Sequence, residues 1–507
     1  MLNLQIVNFK DKYSNLISQV ASDNIGNLAA LSSPTLSKQE TVTGLFEIIK
    51  NNKPRKFLNR RLIFIALIKF FPRLTYMFSR LIFISIFNKP KKLSENSIIF
   101  KTWLVPRSFN KSGIVDDYFR KLITELENNY KVIVSFTTYD IELVKKFKKV
   151  NTKKNYIQSY GFLSFFDILK LFTEYIFKAH LNIKLKYYLN EIEVTNDIKF
   201  SLLLDYLELR SFDAFAEKYK TELLVKLKPK AFIYIYENQS WEKVVCSILN
   251  KNNIYTIGYQ SSGFSPIFLN FFPTLIDAEI MPAPKIILTV GENFTKYLKE
   301  NGNYKIPLKT FAALRFDYTA KMGKYIVEKP NLKIHRKILY AFSVHIDQYK
   351  SIIEDLKEVF KNQEVAVHLK IHPLYKMHEL EKRIKLPANF KFITNTNTNT
   401  DLLKNTYDFI LFNDNSFGIE ALLQGVKAYQ YDKNGLFLDD RFMYFDLWKI
   451  NYVLNDLIIL RNSLIDGSYN KSFSIEDITT YINLMYKPFT QESTLYFQKL
   501  LKLDNAA

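Results

Sequence analysis

Phe409-Ile-Leu-Phe412 runs directly into Asn413-Asp-Asn-Ser-Phe-Gly-Ile-Glu-Ala-Leu422. Four apolar residues closed by a polar cluster read as a short strand buried on both faces. Asn, Asp and Ser at 413–416 supply turn chemistry, and the apolar spacing after them opens a helix. Strand, turn and helix in that order make half of a βαβ unit, which predicts a parallel sheet covered on both sides. The amides that open such a helix, with the hydroxyl of Ser416 and the side chain of Asn415, can hold an anion. Glu420 lies one turn beyond Ser416 on the same face. It is either a ligand for sugar or ribose hydroxyls or a salt-bridged residue of a capped helix.

The same alternation extends in both directions. Downstream of a charged, proline-containing stretch at 321–337, strands are expected at 337–342 (KILYAF), 364–371 (EVAVHLKI), 390–393 and 427–431. Upstream they are expected at 97–103 (SIIFKTW), 131–136, 231–236 (AFIYIY), 254–259 and 286–290, with a helix at 116–128. The fold class is therefore α/β, with two Rossmann-like doubly wound domains at 94–325 and 333–475 and a cleft between them. The repeat TNTNTNT at 394–400 reads as a loop. Residues 474–503 look helical, giving a C-terminal helical unit at 476–507 that packs across the domains.

Ligands of open parallel sheets bind at the carboxyl ends of the strands, so the residues that follow each strand are the site candidates. Glu237, Gln239 and Gln260 follow two consecutive strands, and Glu237 and Gln260 are expected to face one crevice. Glu237 is either a catalytic acid/base or a salt-bridged structural carboxylate. In the second domain, alternation puts Lys370 and His372 on one side of a strand that Pro373 ends. Two cations at a strand terminus form a receptor for phosphate. Ser343 is a further candidate of this kind.

Lys and Arg number 71 against 50 Asp and Glu, a net charge of +21. Part of that excess reflects heavy use of Lys, Asn, Ile, Phe and Tyr; the rest points to an anionic partner. A single cysteine, Cys246, excludes a disulfide scaffold and a multi-cysteine zinc site. It reads as a buried thiol. The six histidines show no metal-binding spacing. No signal peptide is expected, which makes the chain cytoplasmic.

The charge is uneven, because no acidic residue lies between Glu47 and Glu95. The apolar run 62–87 is long enough to span a bilayer. It carries Lys69, Arg73 and Arg80, each costing about 2.5–3.5 kcal/mol at mid-bilayer, and Pro72 is expected to interrupt its helix. At about 100° per residue the three cations share a narrow arc with Tyr76, and Phe64, Ile68 and Phe71 project elsewhere. That suits a helix lying on an anionic membrane surface, or a buried helix with one solvated edge. Residues 1–93 form this basic segment. Nucleic acid is not expected as a partner, since the aromatics sit in apolar runs.

Taken together, these residues resemble the GT-B glycosyltransferases, through the Lys-x-His-Pro strand end and the Ser-x-x-x-Glu-Ala-Leu helix. More narrowly, Glu237-Asn-Gln-Ser-Trp-Glu242, Gly258-Tyr-Gln-Ser261, Met281-Pro-Ala-Pro-Lys-Ile-Ile-Leu-Thr-Val-Gly291 and Ala313-Leu-Arg315 are similar to bacterial surface-carbohydrate biosynthesis proteins. That group is similar to the Kdo transferases of capsule and O-antigen assembly. Ser261 stands where His is expected.

The resemblance, over roughly residues 95–475, implies transfer of an acidic ulosonic or nonulosonic sugar from a CMP-activated donor to a surface glycan or glycolipid. Kdo is the first candidate, and the enzyme would sit on the inner face of the cytoplasmic membrane. Lys370, His372 and Ser416 would hold the nucleotide phosphate and Glu420 the ribose. Glu237 would be the acid/base, with Asp317 competing as nucleophile in a retaining reaction. Gln260 and Arg315 would hold the donor carboxylate or the acceptor. No cofactor and no metal are implied. A CDP-polyol phosphotransferase of teichoic-acid type, a sialyl-type transferase and a non-catalytic membrane-binding module are the alternatives.

Overall fold

The computed structural model describes residues 9, 11–17, 19–20, 45, 48–49, 60–88, 94–110, 113–178, 186–261, 268–315, 317, 333–343, 346–372, 375, 377–394, 403, 405–413, 415, 417–423, 426–431, 454–470 and 475–503. Most of the first fifty residues, the 321–332 stretch and the 395–400 repeat lie outside them.

The first sheet contains β1 (Ile98–Trp103), β2 (Val132–Thr137), β3 (Tyr156–Gln158), β4 (Ala231–Ile235), β5 (Tyr255–Gln260), β6 (Ile286–Thr289) and β7 (Leu308–Thr310). Their order is β7-β6-β5-β4-β1-β2-β3, and every pairing is parallel. β1 pairs with β4 on one side and β2 on the other, from Ile98 opposite Ala231 and Val132. The chain leaves β1 in one direction and later returns to add β4 on the other side, so the order reverses there.

The second sheet contains β8 (Lys337–Ala341), β9 (Ala366–Lys370), β10 (Phe390–Ile393), β11 (Phe409–Phe412) and β12 (Lys427–Gln430), ordered β10-β9-β8-β11-β12. It too is parallel, and it reverses between β8 and β11. The expected α/β class with two Rossmann-like domains is what the chain forms. Sequence reading missed β3 and β7, three-residue edge strands with no apolar run of their own.

Several helices differ from expectation for identifiable reasons. Arg60–Phe87 is one helix, α1, with Pro72 inside it. Proline removes a single backbone donor there, and Pro72 lies on an exposed stretch flanked by the buried anchors Phe70 and Leu74, so packing on both sides keeps the helix going. The helix expected at 116–128 starts later, as α2 (Lys121–Glu127), because the Asp116 carboxylate accepts from the Tyr118 and Phe119 amides and turns the chain first. After α3 (Ile141–Val150), the segment between β3 and β4 forms α4 (Phe165–Lys178), α5 (Thr195–Leu207) and α6 (Phe212–Val225). These share a separate apolar core with α1, built on Ala66, Phe70, Leu74, Leu81 and Ile84.

The next helices are α7 (Ser240–Lys251), α8 (Leu275–Ile280), α9 (Glu292–Asn301), α10 (Ile346–Phe360), α11 (Met377–Glu381), α12 (Phe417–Leu423) and α13 (Leu454–Ile465). Cys246 in α7 is buried; its thiol lies 3.2 Å from the Tyr234 hydroxyl, and burial pushes it up to about 12.

The C-terminal segment is two helices, α14 (Ile475–Met485) and α15 (Gln491–Leu503), broken where Pro488 cannot continue the first. Both pack on the first domain, α14 against α9 and α15 against α2. Between them the Lys487 amide donates to the Val290 carbonyl at 2.8 Å, and the Ala313 amide donates to the Lys487 carbonyl at 2.7 Å. Gly291 makes this crossing possible: a Cβ there would stand 2.1 Å from the Met485 carbonyl oxygen. Gly291→Ala should therefore displace the crossing segment and cost about 1–3 kcal/mol, in the range of overpacked sites. Chemical denaturation of the full chain checks this, and an unchanged midpoint would show that the crossing carries no load.

Candidate functional site

At the end of β4 the chain turns through Asn238, at φ +55°, into α7. The turn is clamped from outside. Asn238 donates to the Asn270 carbonyl at 2.6 Å, and Asn270 donates back to the Glu237 carbonyl at 2.5 Å. From inside, Glu242 Oε1 accepts from the amides of Glu237 and Gln239, at 2.9 and 3.0 Å. Gln239 thus sits at the N-cap of α7, held through its backbone. With the main chain of Glu237 fixed, its carboxyl is the group left to act. Burial holds it above the ordinary carboxylate range, and the charges of Lys101 and Arg315 oppose that rise.

Lys101 reaches this region from β1. It is buried, 3.3 Å from Glu217 and 3.4 Å from the centre of the Trp241 ring, and Glu217 also pairs with buried Lys220. Truncating one partner of such a buried pair leaves a charge uncompensated. The network therefore fixes Lys101, and with it the field felt by Glu237.

The loop after β1 carries charged residues that sequence reading took for the first turn of a helix. Asp116 accepts from the Thr102 hydroxyl at 2.5 Å and from two backbone amides, and burial pushes its carboxyl up to about 6. Asp117 draws in three arginines: Arg107 Nε at 2.5 Å, Arg120 Nη2 at 3.1 Å and Arg315 Nε at 3.6 Å. Arg315, which follows β7, also lies over the Tyr118 ring. Nothing local in 107–120 announces this convergence. The signal available was position, since the loop follows a strand at the order reversal.

In the second domain, Lys370 and His372 do share one side of β9, both half-buried, while Val367, Leu369 and Ile371 face the core. Lys370 Nζ lies 4.9 Å from the Phe417 ring at the start of α12. The His372 amide donates to the Tyr349 hydroxyl, and its ring stands edge-on to Tyr375. Ser343 and Asn413 bridge the reversal: the Ser343 amide donates to Asn413 Oδ1 at 3.0 Å, and Asn413 Nδ2 donates to the Ser343 hydroxyl at 3.2 Å. Asn415 donates to the Ala341 carbonyl and accepts from the Phe417 amide, so it caps α12 itself. Ser416 and the side chain of Glu420 lie outside the described residues, as does Pro373.

Two candidates are placed differently from expectation. Gln260 is fully buried and its Oε1 accepts from the Val290 amide, so it braces the ends of β5 and β6 instead of sharing a crevice with Glu237. Asp317 accepts from the Phe489 amide at 3.0 Å and pairs with Lys121 at 3.8 Å, which ties the C-terminal segment to the first domain. Among the described residues no group of three or more His, Cys, Asp or Glu side chains is arranged to hold a metal ion.

No family model and no curated protein matches the chain. Several solved structures overlap its course. UDP-N-acetylglucosamine 2-epimerase from Rickettsia bellii is 11% identical, with 81% of this chain and 97% of that one covered and a TM-score of 0.47. UDP-GlcNAc 2-epimerase from Neisseria meningitidis, bound to UDP-GlcNAc, gives 13%, 80%, 99% and 0.41. The glycosyltransferase SnogD from Streptomyces nogalater gives 13%, 82%, 100% and 0.39. The fold rests on the sheet orders themselves.

Asp116 supplies a test of the buried strand end. An unfolded Asp releases its proton near 3.8, whereas the folded protein keeps this one to about 6. The protonated carboxyl thus stabilises the fold at low pH, and that contribution is lost as pH rises from about 4 to about 6. Asp116→Asn should remove this component, worth about 2–3 kcal/mol at most, from the pH dependence of unfolding. Parallel pH profiles for the two proteins would refute the burial argument.

Proposed function

We propose that the chain is a glycosyltransferase that moves a CMP-activated acidic sugar, Kdo being the first to test, onto a glycan or glycolipid acceptor. The observation that carries this reading is Glu237: a half-buried carboxyl at the end of β4, beside the reversal of strand order, within the fields of Lys101 and Arg315. A carboxylate moved toward neutrality is a stronger base. It takes the proton of the acceptor hydroxyl as that oxygen bonds to the anomeric carbon, while the bond from that carbon to the phosphate oxygen breaks. The departing nucleotide gains negative charge, which Lys370 and His372 at the end of β9 would meet in this reading. Ser343 and Asn415 stand at the second reversal, and Ser416 and Glu420 are the further nucleotide ligands proposed from the sequence.

The same proposal places the enzyme on the inner face of the cytoplasmic membrane. α1 buries Phe70, Leu74 and Leu81 against the helical core and turns Phe64 (64% exposed), Ile68 (60%) and Phe71 (67%) outward. Phe78 joins α1 to α4 by ring contacts with Phe165 and Phe172, and α4 exposes Phe166 and Phe177. Ile63–Phe87 is also the one helix among the described residues long and apolar enough to cross a bilayer. Lys69, Arg73 and Arg80 edge the apolar face, which suits a helix lying in an anionic leaflet.

Incubating the protein with CMP-Kdo, CMP-sialic acid, UDP-GlcNAc and CDP-glycerol tests the donor, read as nucleotide release and product mass. CMP release from CMP-Kdo is expected. Glu237→Gln should slow it by about 10²-fold or more with CMP binding retained, and Lys370→Met should weaken CMP binding about tenfold. Release from the UDP donor alone would overturn the donor assignment, and a changed free sugar nucleotide without transfer would mean an epimerase. In a separate measurement, Ile68→Asp with Phe71→Asp should cut sedimentation with phosphatidylglycerol vesicles about tenfold. Equal binding by the variant, or equal binding to neutral vesicles, would rule out the surface.

A further inference from the structure

α4 turns four large apolar side chains outward: Phe165, Phe166 (78% exposed), Leu169 and Phe177 (70%). The helix runs antiparallel to α1. Ser85, near the end of α1, donates to the Leu163 carbonyl just before α4, and Phe78 meets Phe165 and Phe172. At the other end Phe70 packs on Tyr206, whose hydroxyl donates to the Ile176 carbonyl at 3.2 Å. At about 100° per residue, Phe64, Leu67 and Phe71 fall within about 40° of Phe78, on the flank of α1 that faces α4. On α4, Leu169 follows Phe165 by about 40°, and Phe166 and Phe177 carry the same arc on to about 120°. Exposed apolar side chains therefore border the seam between the two helices from both sides.

The charges on these helices indicate what covers that face. α1 contains no acidic residue. Both acids of α4 are turned away from the exposed arc. Asp167 accepts from the Ser164 amide and hydroxyl at 2.8 and 2.7 Å, and Glu174 accepts from Lys218 and Tyr219 of α6 at 2.8 and 2.6 Å. The cations stand at the margins: Lys69, Arg73 and Arg80 on the far flank of α1, and exposed Lys170 on α4. An apolar centre with basic margins and no carboxylate of either helix upon it complements an anionic leaflet. α1 is also buried along its length, from Ala66 through Phe70, Leu74 and Leu81 to Ile84, and crossing a bilayer would strip it from that core. We infer that α4 enters the leaflet beside α1, the two helices forming one in-plane docking face for an anionic phospholipid surface. A single helix leaves the protein free to roll on a membrane, whereas an antiparallel pair fixes its roll. The inference rests on the membrane reading of α1 given above and is independent of the transfer chemistry.

Site-directed fluorescence of the full chain tests it, with phosphatidylglycerol vesicles whose acyl chains carry a doxyl quencher. Cys246 is buried, so a thiol-reactive dye goes to an introduced cysteine. Dye on Phe166→Cys or Phe177→Cys should lose about half its emission or more in the quenching vesicles, as for side chains about 5–10 Å into the headgroup and acyl boundary. Dye on Ile459→Cys, an exposed position on α13 in the second domain, should be unaffected. Phe166→Asp/Phe177→Asp, with α1 intact, should sediment with the vesicles about tenfold less than wild type. If wild type sediments while the α4 dyes keep their emission, or while the aspartate variant binds equally, α4 is not a lipid contact and the α1 reading stands. If wild type does not sediment, both fall. A wild-type oligomer that the aspartate variant dissociates without vesicles would mean that a second copy of the chain covers the face, and would overturn the inference.

Discussion

Lys487 makes two backbone hydrogen bonds, one to the carbonyl of Val290 and one from the amide of Ala313, and the arrangement of the first domain's working edge depends on them. Ala313 is two residues from Arg315 and four from Asp317, which takes the Phe489 amide. The loop after β7 is therefore held by chain that returns from beyond the second sheet. Gly291 gives that chain room to pass, and Ile482, Met485, Tyr486, Phe489 and Phe497 pack into the same core as the strands of the first sheet. That core also takes in Leu339, Ala341, Ile410 and Phe412 from β8 and β11. The crossing segment thus positions an arginine and unites the buried apolar surface of both halves.

Beneath the strand ends lies a second kind of constraint. Lys101, Glu217 and Lys220 are nearly inaccessible to water, and Glu242 is buried close by with its carboxyl pushed up to about 8. Tyr160 donates to Tyr139, which donates to Asp213, another carboxyl raised by burial. Replacing such a network wholesale with apolar residues often costs little, whereas breaking it at one point costs several kcal/mol. Its contribution here is positional. It holds a cation near Glu237 in surroundings of low polarisability, where that cation acts strongly.

The central strands were legible because burial on both faces leaves continuous runs such as Ala231–Ile235 and Phe409–Phe412. The edge strand Leu308–Thr310 is three residues long and two of them, Lys309 and Thr310, are polar, so pairing with β6 makes it a strand. Lys370 and His372 were legible because alternation is local. The arginine cluster was not, because Arg315 meets Arg107 only through the order of a sheet whose reversal no local pattern encodes. Asp116 and Asp117 misled for a physical reason: acids before an apolar periodic stretch signal a helix start. Here one of them spends its oxygens on a turn and the other on arginines. Gln260 looked available at a strand end, yet its neighbour's unpaired amide needed it more.

The return of α14 and α15 to the first domain also sets an order of events during synthesis. Chain emerges from the ribosome amino end first, and domains generally close as they appear. In this protein the surfaces of α2 and α9 that α15 and α14 cover remain bare until the last residues of the helical tail have been made. The second domain can complete its sheet and bury Phe409 and Leu411 while the first, though older, is still waiting. Contacts of such long sequence separation form slowly. The domain translated earliest is the one that finishes last.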